Sequence, residues 1–400
     1  MPLQKCKKSE YKGKIKMDNI LNSIGHELKF SNFVRAENCT LFDDKGDRYL
    51  DLESGVWSTP VGHCHPRITQ VLSEQSGKMI HSGYCYLNPI VGSAASKILE
   101  ITGIKTGKCV FLCSGSEAVE FSVQLISKIS SKPYFLTMKN CYLSAYGISG
   151  ERSGNRWIHF DWMNEGNTDK IDFSKIAAFV FEPGSSLGLV HFPPKELIQQ
   201  IVNRVRECGG YVITNEVTTG TGRTGRWFGY NHFDIIPDIV AIGKGLGNGY
   251  PVSCVAIAES VTEKIDPKKF HYGQSHQNDP LGAAVALGVI DVIEKEGLLQ
   301  RAVTIGEKIR CRFNRMKDEY GIIKEVRGRG LMIAVEFQKN DGFSFAEKIN
   351  EELLKRNVIL AKRPGHEVFR IDPALTIQEE QVEYFLCTIE EIISSLRVQS

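Results

Sequence analysis

From residue 109 onward, short continuous runs of apolar residues alternate with longer stretches of helical period. The runs are Cys109-Val-Phe-Leu-Cys113, Tyr134-Phe-Leu-Thr137, Ala177-Ala-Phe-Val-Phe181, Tyr211-Val-Ile-Thr214, Ile239-Val-Ala-Ile242 and Cys254-Val-Ala-Ile257. They are apolar at successive rather than alternate positions, as in strands buried on both faces. Between them, 116–130, 194–208 and 280–296 place apolar residues at three- and four-residue intervals, which predicts helices. Strand–helix alternation of this kind predicts an α/β fold with a mostly parallel sheet covered on both sides.

The flanks read differently. Residues 1–27 are polar and Lys-rich and read as an N-terminal arm. In 38–52 two apolar runs flank Asp44-Lys-Gly-Asp47, which is hairpin chemistry. Helices are expected at 66–79 and 90–102. Toward the C-terminus, helical segments near 298–318, 344–356 and 377–396 surround short strands at 330–337 and 367–371, an α+β pattern. The expected division is an arm and part of a small domain at 1–60, a large domain at 61–285 and a smaller C-terminal domain at 286–400.

Composition narrows the function classes. A net charge of +2 over 400 residues gives no strong basic field for nucleic acid. No run of about 18 apolar residues is present to span a membrane, and the start lacks the apolar core of a signal peptide. The 11 cysteines have no C-x-x-C spacing and read as small buried hydrophobes in a reducing cytoplasm rather than as metal ligands.

Gly220-Thr-Gly-Arg-Thr-Gly225 fits a dinucleotide-binding pattern, but no helix opens there, since Arg226-Trp-Phe-Gly-Tyr follows. Three other elements carry chemistry. At Cys113-Ser-Gly-Ser-Glu-Ala-Val-Glu120 a strand gives way to a helix whose first N–H groups suit a phosphate, although Ser with Glu three residues on is also an ordinary capping box. In Ile242-Gly-Lys-Gly-Leu-Gly-Asn-Gly-Tyr-Pro251 a lysine leaves a buried strand among four glycines, a setting for a lysine kept unprotonated close to a bound aldehyde. Asn215-Glu216, 29 residues before that lysine, ends another strand, where open α/β sheets bind ligands, although a strand-terminal Asn is also ordinary turn chemistry.

Together these elements resemble the class III aminotransferases of the ornithine, acetylornithine and 4-aminobutyrate type, over about residues 30–395. The resemblance rests on Asn215-Glu-Val-Thr-Thr-Gly-Thr-Gly-Arg-Thr-Gly225, on Lys244 in its glycine-rich loop, and on Phe42–Asp51, Gly62-His-Cys-His-Pro66, Glu182-Pro183 and Val326-Arg-Gly-Arg-Gly-Leu-Met332. It implies a cytoplasmic enzyme dependent on pyridoxal 5'-phosphate (PLP), of fold type I, with a seven-stranded large domain and a small α+β domain built from both termini. By the same resemblance, Lys244 matches the Schiff-base lysine and the base that moves the α-proton. Gly115 and Ser116 match the phosphate cradle, while Tyr142 and Val217 match the groups on the two ring faces. Ser275 matches the hydroxyl that reaches the neighbouring subunit's phosphate, which implies a homodimer with shared active sites. Arg370 matches the arginine that holds a substrate carboxylate, and Trp57 falls at a substrate-side aromatic. The implied partners are an amino donor and a keto acceptor, with no metal, membrane or nucleic acid.

The sequence departs from the family's pattern at four places. Asn215 stands where an aspartate is expected to hold the pyridine nitrogen protonated, so the cofactor's electron sink should weaken. Leu143-Ser144 replaces a common His-Gly. Thr218 replaces a common Gln near the phenolic oxygen. Gly184-Ser-Ser-Leu187 replaces a segment whose Glu masks the carboxylate-binding arginine in ω-amine enzymes, so Arg370 is expected to stay open. Alongside an aminotransferase, two readings stay open: an epimerase or racemase of the same fold, and a PLP-binding protein without turnover.

Overall fold

The computed structural model describes residues 19–21, 23, 29–30, 32–83, 85–151, 154–164, 168–184, 187–340 and 342–397. Most of the N-terminal arm, together with Ser185 and Ser186, therefore lies outside the described residues.

The six apolar runs all form strands of one seven-stranded sheet. In spatial order the strands are Gly107–Leu112, Ser253–Ala258, Ile239–Ile242, Tyr211–Asn215, Ile176–Phe181, Tyr134–Met138 and Trp157–Phe160. Ser253–Ala258 runs antiparallel to both neighbours and the other pairings are parallel. The seventh strand, Trp157–Phe160, escapes the pattern because it is a short edge with one exposed and one half-buried position at its centre. Helices Gly115–Ile129 and Lys195–Glu207 pack apolar stripes on the sheet; the second buries Ile198, Ile201, Val202 and Val205.

Two smaller sheets join the chain's ends. Strands Phe33–Glu37, Thr40–Asp43 and Arg48–Asp51 form a meander, and Val358–Ile359 adds in parallel beside Arg48–Asp51. The other sheet has the order Ile323–Arg329, Met332–Phe337, Val368–Ile371, Ala361–Lys362. Its first strand is too charged to be recognised by periodicity. Cross-strand pairs hold it instead: Lys324 Nζ and Arg327 Nη1 lie 2.6 and 2.8 Å from the Glu336 carboxylate.

One hydrophobic cluster surrounds the large sheet, and a second is built from both ends of the chain, from Cys39 and Leu50 to Phe385 and Ile393. Helix Pro280–Lys295 contributes Ala283, Ala286 and Ile290 to the first and Val285, Val289 and Ile293 to the second. The cysteine expectation holds only in part. Cys39, Cys141 and Cys254 are buried, whereas Cys64, Cys85, Cys208, Cys311 and Cys387 are exposed free thiols. They lie on helix surfaces and turns, where nothing apolar covers them.

Arg223, inside the glycine-rich motif, is fully buried. Its Nη1 donates to the carbonyls of Leu331 and Pro373 at 3.1 and 2.5 Å, and its Nη2 donates to Ser54 Oγ at 3.0 Å. Its own carbonyl accepts from Leu331 N–H at 3.0 Å. A Cβ on Gly330 would lie 2.5 Å from Gly225 N, so the motif and the Gly330 turn can meet only as glycine against backbone. Burial lowers the guanidinium to about 10, opposed by Asp372, and it remains charged. Arg223→Ala strands three buried acceptors and is expected to cost about 3–5 kcal/mol in equilibrium urea denaturation. A loss under 1 kcal/mol would mean that the three segments hold together without it.

Candidate active site

The parallel strands deliver their C-terminal ends to one edge of the sheet. Loops leaving Leu112, Met138, Phe181, Asn215 and Ile242 line a cavity of about 340 Å³ there, with Tyr250, Pro251 and Val252 ahead of the antiparallel strand. Cys113, Gly115, Ser116, Tyr142, Glu182, Asn215, Val217, Thr218 and Lys244 all face this space.

Helix Gly115–Ile129 opens at the cavity. Ser114 is its N-cap: Ser114 Oγ accepts from Glu117 N at 3.2 Å, and Glu117 Oε2 accepts from Cys113 N and Ser114 N at 2.9 Å each. Capping and ligand readings are therefore compatible, because the box uses neither Gly115 N–H nor Ser116 N–H. Ser116 Oγ accepts from Ala145 N at 3.0 Å, which ties the loop after Met138 to the helix start. Gly115 must be glycine, since a Cβ there would lie 2.5 Å from Val217 Cγ1.

Lys244 follows strand Ile239–Ile242 with φ +42°, a left-handed conformation rare for a side chain of this kind. The residue is half-buried overall, and its amine lies 5.1 Å from the centre of the Trp57 ring. Burial lowers the ammonium from its ordinary value to about 8; nearby Glu182 opposes that shift and Arg370 adds to it.

Asn215 ends its strand with both amide atoms engaged. Nδ2 donates to the Tyr142 carbonyl at 2.9 Å and Oδ1 accepts from Val217 N at 3.1 Å. Tyr142 is also held through the preceding peptide group, where its N–H donates to Glu182 Oε2 at 2.7 Å. The Tyr142 ring is more than a third exposed at the cavity wall. Thr218 is buried, and its Oγ1 has no hydrogen-bond partner among the described residues. The adjoining Glu216 faces away into the core and accepts from Thr219 Oγ1, Gly229 N and Tyr230 N at 2.7–2.9 Å. Burial nonetheless raises its carboxyl to about 7.

Arg370 and Trp57 meet beside this cavity rather than lining it. The Arg370 guanidinium lies 4.0 Å over the Trp57 ring, and its Nε is 3.4 Å from Asp372 Oδ2. Its Nη groups carry no hydrogen bond among the described residues, and Leu187 supplies no carboxylate to mask them. Trp57 is presented by an unusual turn: Ser54, Gly55, Val56 and Trp57 all have φ between +44° and +67°. Left-handed backbone costs about 1–2 kcal/mol per L-residue. The turn persists because Asp51 Oδ1 accepts from Glu53 N and Ser54 N, and Ser54 Oγ bonds both the Asp372 carbonyl and Arg223.

Ser275 is exposed and stands apart from the chain's own cavity. Its segment is fixed by Asn278, which exchanges two hydrogen bonds with Phe111, and by Asp279, which lies between His81 and His276 at 2.6 and 2.7 Å. The expected cavity residues thus gather on the strand ends, Arg370 and Trp57 form an adjoining wall, and Ser275 stays outside. Sequence reasoning assigned no role to Glu182, Ser54 or Arg223. Polar residues at strand ends and turns beside a candidate lysine were the available signal.

The aminotransferase class-III sequence profile matches residues 23–145 and 166–393. The acetylornithine aminotransferase of Archaeoglobus fulgidus is 30% identical over 361 residues, covering 87% of this chain and 92% of its own. The leucine/methionine racemase of Thermococcus litoralis is 29% identical, covering 91% and 90%. Among solved structures, the acetylornithine aminotransferase of Elizabethkingia anophelis superimposes with a TM-score of 0.83 at 26% identity, over 94% of this chain and 96% of that one. An ordered strand edge with a lysine, a helix start and these relatives has one family reading: the chain belongs to the class III aminotransferases, enzymes that depend on PLP.

Proposed function

We propose that this enzyme transfers an amino group between an amino acid and a 2-oxo acid or aldehyde, with Lys244 as its catalytic residue. The supporting observation is the convergence, in one cavity, of an amine lowered to about 8 with two helix-start N–H groups and a Thr218 hydroxyl that have no hydrogen-bond partner among the described residues. These features fit PLP in size and chemistry. The helix start offers an anion the N–H groups of Gly115 and Ser116, which its capping box does not use, and Thr218 offers a buried hydroxyl without a hydrogen-bond partner among the described residues.

Lys244 would hold the cofactor through Nζ, with Gly115 and Ser116 at its phosphate. Val217 and Tyr142 would lie on the ring faces, Asn215 at the ring nitrogen and Thr218 at the phenolic oxygen. The bound cofactor supplies a conjugated ring that accepts electron density from the substrate's α-carbon. The protein's own part is positional and protonic. Lys244 Nζ would take and return the α-proton. Arg370 would bind the α-carboxylate through its Nη groups, with its plane set by Trp57 and Asp372.

The exposed Ser275, held on a fixed segment outside its own cavity, supports a homodimer in which each subunit completes the other's phosphate site. Exposed free thiols at Cys64, Cys208 and Cys387 suit a reducing, cytoplasmic setting.

Two outcomes follow. The rate at which the apoprotein captures PLP is expected to rise with pH about a midpoint near 8, because only the unprotonated Lys244 amine attacks an aldehyde. A midpoint near 10 would place that amine in water, and capture undiminished in Lys244→Ala would remove it from the reaction. Arg370→Ala is expected to lower kcat/KM for α-amino acids about a hundredfold, or about 3 kcal/mol, while sparing amines without a carboxylate. Equal losses for both substrate types would show that Arg370 does not read the carboxylate.

A further inference from the structure

The amide of Asn215 has only one sensible orientation. Turned over, its oxygen would face the Tyr142 carbonyl at 2.9 Å and its NH2 group would face Val217 N–H at 3.1 Å. Both contacts would set like against like. Tyr142 is itself anchored through the preceding peptide group, whose N–H donates to Glu182 Oε2 at 2.7 Å. Asn215 Oδ1 is thereby committed to backbone. Its second Nδ2–H has no acceptor among the described residues, although the side chain is buried and borders the cavity.

We propose that Asn215 presents a hydrogen-bond donor to the ring nitrogen of bound PLP, so that this nitrogen stays unprotonated and the site returns the α-proton to the substrate's α-carbon more often than it completes amino transfer. The inference rests on the PLP reading above. A nitrogen that accepts a hydrogen bond from a neutral amide gains no charge to hold a proton of its own. The neutral ring draws electron density from the α-carbon less strongly. The α-C–H bond breaks with its electron pair left on carbon and its proton taken by Lys244 Nζ. When that proton, or one exchanged from water, returns to the α-carbon, the bond re-forms without oxidation or reduction. The net result is isotope exchange, with loss of configuration if the proton arrives on the other face.

The geometry also limits what an aspartate could do at this position. In Asn215→Asp one carboxylate oxygen can still accept from Val217 N–H. The other takes the place of Nδ2, oxygen against oxygen with Tyr142. The Tyr142 carbonyl would have to swing away before a carboxylate could serve the ring nitrogen, so the replacement alone does not rebuild the site expected of the family.

The test uses the full-length protein loaded with PLP labelled with 15N in its ring. Its nitrogen resonance is expected at the free-base position and to stay there on moderate acidification. A resonance at the protonated position in the wild-type protein overturns the proposal while leaving the PLP reading intact. Failure to retain PLP at all, seen as absence of visible absorbance co-eluting with the protein, overturns both. A second measurement follows L-glutamate, L-leucine and L-ornithine in D2O with a 2-oxo acid in excess as acceptor, and compares the initial rates of α-deuterium incorporation and oxo-product release. Exchange is expected to exceed transfer about tenfold for the amino acid the site accepts. Transfer keeping pace with exchange would overturn the second half of the proposal.

Discussion

The arrangement depends on one buried guanidinium. Arg223 belongs by sequence to the loop after the central strand, yet it bonds to the Leu331 turn, the Pro373 carbonyl and Ser54. These belong to a C-terminal sheet, the segment carrying Arg370, and the turn carrying Trp57. A cation removed from water must recover its hydration from fixed acceptors, and here those acceptors come from three distant segments. The pieces that would handle substrate are therefore registered against the strand ends that would handle the cofactor. An arginine suits this position better than a lysine because its planar fork reaches several acceptors at set angles.

A second constraint is steric and local. Gly115, Val217 and Gly243 touch so closely that a methyl group on either glycine would collide with its neighbour: Val217 for Gly115, and Gly115 Cα, 2.9 Å away, for Gly243. The helix start, the post-strand valine and the lysine loop are packed as one object. Backbone freedom at these positions serves close approach, which explains why the lysine loop is glycine-rich although its residues are among the better buried of the chain.

Much of this was legible in the sequence. Apolar runs fixed six strands of the large sheet, since a strand buried on both sides has no reason to alternate. The cavity residues were also legible, because Lys244, Asn215 and Gly115 all sit immediately past such runs. Among the strands that escaped, Trp157–Phe160 and Ile323–Arg329 draw stability from an edge pairing and from cross-strand charges, neither of which leaves a periodic trace. Likewise, nothing in the residues around Ser54-Gly-Val-Trp57 announces a left-handed turn. A valine there argues against one, and Asp51 together with the distant Arg223 and Asp372 makes it tenable. The orientation of Asn215 is hidden for the same reason: it is decided by Tyr142 and Glu182, which lie far away in sequence and beside it only in the fold.

Helix Pro280–Lys295 has buried positions around nearly its whole circumference and is shared by both hydrophobic clusters. Such a helix has no direction in which to roll or slide without exposing apolar surface on one side or the other. It acts as a mechanical splice. Heat or denaturant that loosens the cluster built from the chain's ends pulls on the sheet that carries Lys244, and the reverse holds too. The protein should therefore lose both bodies in one cooperative event, and any opening that admits substrate has to be found in loops rather than in a hinge along this helix.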